Sequence, residues 1–188
     1  MTSPPTLTLQ ETLVESQTLF HGRVLRLTRD TVALHTGDQA TREVVHHPGG
    51  VVVLPVLSDG RVVFIRQFRY ALGHVLLELP AGKLEPGEPP FEAIQRELQE
   101  ETGYVAQQWQ PMGHIYTAPG FCNERLWLFQ ASQLVHQPMA GYDAAAHGEY
   151  LEPALMTRQE IAEAAENGLL TDAKTICLLA MAGYLGPR

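Results

Sequence analysis

Residues 82–104, GKLEPGEPPFEAIQRELQEETGY, limit the fold of this chain more than any other stretch. Pro89 and Pro90 suit the first turn of a helix, where a missing N–H costs nothing. The run 91–102 reads as helix, and Gly103 ends it as a C-terminal glycine. At roughly 100° per residue, Phe91, Ile94 and Leu98 share one apolar face. Glu97, Glu100 and Glu101 fall on the neighbouring face, at helical spacings of three and four. Like charges so close repel and raise one another's pKa values, a penalty that a bound cation reverses. Hard carboxylate oxygens without a nearby Cys or His favour Mg²⁺ or Mn²⁺ over zinc. A solvated Glu-rich helix is the bland alternative. The loop in front argues against it, because Gly82 and Gly87 permit a tight turn that brings backbone carbonyls toward the helix face. Arg96 is expected on the far side of the acidic cluster, bracing that loop through Glu88.

Composition adds bounds. The 188 residues suffice for one domain with a small extra lobe, and an apolar fraction of 45% supports a core. A net charge of −8 opposes nonspecific nucleic-acid binding, and an anionic substrate then needs metal ions and local arginines to receive it. Two cysteines, Cys122 and Cys177, give no disulfide framework and point to a reducing, cytoplasmic setting. No apolar run reaches the roughly 18 residues of a membrane span. The opening MTSPPTLTLQ has no basic segment followed by an apolar one, so no signal peptide is expected.

Taken in order, residues 1–5 read as a loose tail. Residues 12–45 read as short strands with turns at His21-Gly22 and Gly37-Asp38, and with Val24, Leu25, Leu27, Val32 and Leu34 as apolar positions. This block is too small for a stable sheet by itself and calls for the main domain or a second copy of the chain. A strand at 51–57, a hairpin turn at Ser58-Asp59-Gly60 and a return strand at 61–70 follow. Residues 76–79 form a short strand, and 108–117 and 125–134 read as two more after the glutamate helix. A loop at 139–148 and a last strand at 150–155 precede two helices. The first, 157–166, has Thr157 and Glu160 at capping-box spacing. The second, 171–184, buries Ile176, Leu178, Leu179 and Met181. The fold class implied is an α/β/α sandwich with a mixed sheet.

The order Gly82, Glu88, Arg96-Glu97-Leu98, Glu100-Glu101, Gly103 and Tyr104 resembles the signature of the Nudix hydrolases at every fixed position. Tyr104 stands where an aliphatic residue is usual. At average residue usage such a match arises by chance with odds on the order of 10⁻⁹ per start point. Arg42-Glu43-Val44-Val45 with His47-Pro48-Gly49, Arg66-Gln67-Phe68-Arg69-Tyr70, Glu78-Leu79-Pro80-Ala81-Gly82 and Ala118-Pro119-Gly120-Phe121 are similar to phrases of the ADP-ribose pyrophosphatase branch. The resemblance implies a small N-terminal antiparallel sheet over residues 1–47, used in dimerisation and substrate contact, and a Nudix-type domain over 48–188.

It further implies metal held by Glu97, Glu101 and the Ala81 carbonyl, with Glu100 as a further ligand and Mg²⁺ the expected ion, Mn²⁺ the alternative. Arg69 would contact the diphosphate, Glu78 would lie beside the ribose, and Arg42 and Glu43 would reach substrate, often across a homodimer. Pro119 and Gly120 would mark the substrate loop. Arg66 and Arg69 point to opposite strand faces, so only one faces the site. The general base would come from the loop before the last strand, where Glu149, as base or further metal ligand, and His147 both qualify. The chemistry implied is hydrolysis of ADP-ribose to AMP and ribose 5-phosphate. Rival readings are hydrolysis of another nucleotide sugar such as GDP-mannose, and a module that binds ADP-ribose without cleaving it. RNA-cap hydrolysis would want a basic groove, which the net charge opposes.

Overall fold

The computed structural model describes residues 9–141 and 150–186. The expected tail at 1–5, and His147 and Glu149, lie outside the described residues. The chain divides into two compact units, one up to Pro48 with Ala118–Glu124, the other Gly49–Thr117 with Arg125 onward.

The first unit is an antiparallel meander of β1 (Thr12–His21), β2 (Arg26–Ala33) and β3 (Gln39–His46), in the order β1-β2-β3. Cross-strand register sets Arg29 opposite Glu43 and Asp30 opposite Arg42. The turn from Ala118 to Cys122 is tied to the end of β3, where Val45 N–H donates to the Phe121 carbonyl at 2.7 Å. His47 N–H donates to Asn123 Oδ1 at 2.8 Å. Only Thr28 and Val32 are buried among the described residues of this unit before His47. Val24 and Leu25, two of the apolar positions read from the sequence, are each 38% exposed, because they sit in the β1–β2 turn. Every residue of β1 is exposed, including Leu13, Val14, Leu19 and Phe20.

The second unit is built on β4 (Gly50–Pro55), whose six residues are all buried. Successive side chains of a strand point to opposite faces. Val51 and Val53 therefore pack with Ala93, Ile94, Leu98 and Phe129. Val52 and Leu54 pack with Phe64, Leu128, Ile161, Leu178 and Leu179. A strand apolar on both faces needs cover on both, which is the sandwich expected from the sequence. The mixed sheet runs β7 (Ala81–Lys83), β4, β9 (Arg125–His136), β8 (Tyr104–Tyr116), with β4 and β9 parallel. A second, antiparallel sheet has the order β10 (Leu151–Met156), β5 (Val62–Arg69), β6 (His74–Glu78). Helix α1 (Pro90–Thr102) packs on β4, β7 and β8; α2 (Arg158–Glu166) on β10; α3 (Ala173–Met181) on β4.

Several local expectations need correction. The turn at Ser58-Asp59-Gly60 forms, with Leu57 N–H donating to the Arg61 carbonyl at 2.8 Å, but β4 and β5 then part into different sheets. Only the Val56–Val62 bridge pairs them. Met181, expected to be buried, is 49% exposed at the end of α3. Phe91 is 44% exposed, yet it stacks edge-on against Trp109 at 5.7 Å between ring centres. The capping box of α2 is present, with Thr157 and Glu160 satisfying each other's backbone N–H groups.

Candidate active site

Helix α1 is set by its ends. Pro89 is the extended N-cap, Pro90 the first helical residue, and Gly103 turns left-handed at φ 71°. Its N–H closes on the Gln99 carbonyl at 2.9 Å. With Ile94 and Leu98 anchored in the core, the helix cannot rotate, so the adjoining stripe is fixed in place. Glu97 and Glu101 are buried to 8% and 7% exposure, and Glu100 is half-buried.

Strand β7, which the sequence reading did not separate, lies against that stripe. Ala81 N–H donates to Glu101 Oε2 at 2.9 Å. Gly82 passes so close to Glu97 that any Cβ there would fall well under 3.0 Å from its carboxylate atoms. Only glycine leaves room for the acid.

Arg96 was expected on the far side of the acids; it lies among them. Its Nε and Nη2 donate to the two Glu88 oxygens at 2.9 and 3.0 Å, which braces the loop as anticipated. Its Nη1 bridges Glu97 Oε1 at 2.9 Å and Glu100 Oε2 at 3.0 Å. Arg96 and Glu100 stand one helical turn apart and so share a face, and the long arginine stem lets the same nitrogen reach Glu97 as well. Hydrogen bonds from Arg96 hold the Glu88 carboxyl below its ordinary range, and those to Glu88, then the charges of Glu97, drive Arg96 further up.

The donor set of this stripe is oxygen alone: three carboxylates from α1 and the backbone of β7. Among the described residues, no three acidic, His or Cys side chains are drawn into a ready coordination shell. The chemistry nevertheless fits a hard divalent cation, because the glycine cradle holds Glu97 beside β7 and one guanidinium nitrogen already bridges two acids.

A second charged group stands on the neighbouring strands. Arg69 of β5 grips Glu78 of β6 side-on, Nε and Nη2 each 2.6 Å from a carboxylate oxygen. The Glu78 side chain is only 1% exposed, that of Arg69 37%. Lys174 of α3 donates to the same carboxylate and to Asp172 Oδ2, the latter at 2.9 Å. Burial pushes the Glu78 carboxyl up, but the Arg69 hydrogen bonds and the Lys174 charge outweigh it and hold it low. Glu78 holds Arg69 above its ordinary range, and Glu101 is near enough to add to that. Lys174 was missed from the sequence; the signal was there, as the lone charge in the largely apolar run AKTICLLAM. Arg66 pairs with Glu152 instead, at 3.0 Å.

The remaining anticipated residues belong to the first unit. Arg42 is bonded to Glu11 at 2.9 and 2.5 Å, Glu43 to Arg29 at 3.3 Å. Pro119 and Gly120 lie in the turn closed by Cys122 N–H to the Ala118 carbonyl at 2.9 Å. Cys122 and Cys177 are free thiols.

A glutamate-striped helix capped by Gly103 and cradled by a glycine strand is the arrangement the sequence signature requires, and the family match agrees with it. The NUDIX domain model matches residues 46–179, and the chain belongs to the Nudix family. It is 37% identical over 168 residues to an ADP-ribose pyrophosphatase of Bacillus subtilis (strain 168), covering 89% of each chain. It is 34% identical over 168 residues, again 89% of each, to a methanol dehydrogenase activator of Bacillus methanolicus. A crystal structure of an ADP compounds hydrolase superposes with a TM-score of 0.80 at 20% identity, covering 94% of this chain and 95% of that one. At that identity the likeness speaks for the fold.

Proposed function

We propose that this protein hydrolyses the diphosphate of ADP-ribose to AMP and ribose 5-phosphate with the help of Mg²⁺. The observation that carries the reading is the Glu97, Glu100 and Glu101 stripe held against the Gly82 cradle. The likeness to an ADP-ribose pyrophosphatase over nearly the whole chain supports the choice of substrate. Glu97, Glu101 and the Ala81 carbonyl would hold the ion, with Glu100 as a further ligand. Once bound there, Mg²⁺, or Mn²⁺ in its place, neutralises phosphate oxygens and acidifies water.

The protein's own part is positioning and charge. Arg96 keeps Glu97 and Glu100 from drifting apart. Ala81 N–H orients Glu101. Arg69 offers its exposed edge to the diphosphate, and Glu78, sealed beneath it, keeps that guanidinium in place. Arg42, Glu43, Pro119 and Gly120 contribute further substrate contacts. A water oxygen bonds to one phosphorus as the bridging P–O bond opposite it breaks, and the other phosphate leaves with the bond's electron pair. Glu149 takes the proton from that water, with His147 as the alternative. Near-normal turnover in Glu149→Gln, beside a dead Glu101→Gln, would remove Glu149 from this role.

Hydrolysis in ¹⁸O-labelled water tests substrate and site of attack together. The label should appear in AMP or in ribose 5-phosphate, and absence of both products refutes the reading. In a substrate panel, faster turnover of GDP-mannose than of ADP-ribose would shift the assignment to nucleotide hexoses. Binding of ADP-ribose without turnover would make the protein a sensor.

The working form is proposed to be a cytoplasmic homodimer, with residues 1–47 as the dimerisation block. The apolar exposed side chains of β1, an edge strand, support this, since such an edge invites cover. The two free thiols agree with a reducing compartment. Light scattering at micromolar concentration should give twice the chain mass. Among the described residues no helix is long and apolar enough to cross a membrane.

A further inference from the structure

Glu78 is a carboxylate almost wholly removed from water, and it holds two cations. Arg69 reaches it along the sheet, and Lys174 reaches it from a helix 96 residues further along the chain. The same helix turn grips the adjoining backbone. Leu79 N–H donates to Thr175 Oγ1 at 2.9 Å, and that hydroxyl donates to Asp172 Oδ2 at 2.6 Å. Asp172 also accepts from Thr175 N–H at 3.0 Å and from Lys174. The first turn of α3 therefore fixes residues 78 and 79 through one side chain and one amide. Two residues on, Ala81 N–H meets Glu101.

The charges in this group are two positive and two negative. A buried carboxylate with a single partner would be left poorly compensated. With Lys174 absent, Glu78 would depend on Arg69 alone, and one positive charge would vanish beside Arg69. The planar guanidinium gives Nε and Nη2 to Glu78, and its Nη1 edge is on the other side.

The geometry points to Lys174 as a positioning residue of the hydrolytic site: its ammonium, shared between Glu78 and Asp172, balances the buried carboxylate and leaves the outer edge of Arg69 to the substrate diphosphate. The inference rests on the proposed diphosphate hydrolysis. It adds a residue outside the signature helix, acting through Glu78 and Arg69 without touching substrate.

The test is steady-state kinetics of the full chain on ADP-ribose with Mg²⁺, for the wild type, Lys174→Met, Lys174→Arg and an Arg66→Met control. Lys174→Met should raise KM about tenfold or more, as loss of a unit charge near an anionic ligand does, with a smaller change in kcat. Lys174→Arg, which keeps the charge, should recover most of the affinity, and Arg66→Met should match the wild type. A merely structural role would lower the active fraction and leave KM alone. Should Lys174→Met not fold, Lys174→Gln read against Lys174→Arg makes the same comparison of charge. A KM within twofold of the wild type in the neutral variant overturns the inference, as does Lys174→Arg failing as badly as the neutral one. A wild type inactive on ADP-ribose sinks the proposed function, and this inference with it; an active wild type beside an unaffected neutral variant sinks the inference alone.

Discussion

Replacing Gly82 with alanine adds one methyl group at the point where β7 passes Glu97. Ordinary contacts of a Cβ begin near 3.4 Å, and here the Glu97 carboxylate atoms would all be closer than 3.0 Å. The backbone can accept alanine, since Gly82 is not among the residues with positive φ. The atoms that clash are the far end of a flexible side chain, so the carboxylate moves and the strand stays. It must retreat by on the order of 1 Å, which pulls it from Arg96 Nη1, now 2.9 Å away. Folding should suffer little, about 1 kcal/mol, or a Tm lower by about 2–4 °C in a chain of this size. Catalysis should suffer heavily, because a displacement of about 1 Å in a reacting constellation costs about 10²-fold, near 2.7 kcal/mol in the barrier. Turnover of ADP-ribose at saturating Mg²⁺, with a thermal melt on the same preparation, reads both numbers. A kcat within about threefold of the wild type would refute the reasoning, since a freely relocated Glu97 would then have no part in the chemistry.

Other outcomes follow from the same contacts. Glu101→Gln keeps an acceptor for Ala81 N–H but removes a charge, so kcat should fall at least about 10²-fold. Its melting temperature should hold or rise, because repulsion along α1 is relieved. The folded Glu78 carboxyl lies below its ordinary value of 4.5, so its stabilising share is present above that pH and is lost as pH falls through the lower, folded value. Acid melting curves should therefore show a smaller fall in Tm for Glu78→Gln than for the wild type below about pH 4.5. Thr157→Ala removes the α2 capping box and should cost about 1 kcal/mol in urea unfolding, with kcat unchanged.

Much of the second unit was legible because its signals are local. Pro89, Pro90 and Gly103 mark the ends of α1 without help from elsewhere, and Thr157 with Glu160 does the same for α2. The run Val51-Val52-Val53-Leu54 announces a strand covered on both faces. What failed depended on partners far along the chain. The turn at Ser58-Asp59-Gly60 forms as read, yet β4 joins β9 and β5 joins β10, and no property of residues 51–70 reveals that choice. The block at 12–45 was read as too small for a stable sheet by itself, and β1 is exposed along its whole length.

The amino-acid order by itself determined the acidic stripe, since a helix of fixed pitch with an anchored apolar face leaves its glutamates only one direction to point. Tertiary packing decided which charges meet. It laid Gly82 against Glu97 and brought Lys174 to Glu78. Periodicity fixes angles within one element, whereas contacts between elements depend on how sheets and helices close over a shared core, and that closure is a property of the whole chain.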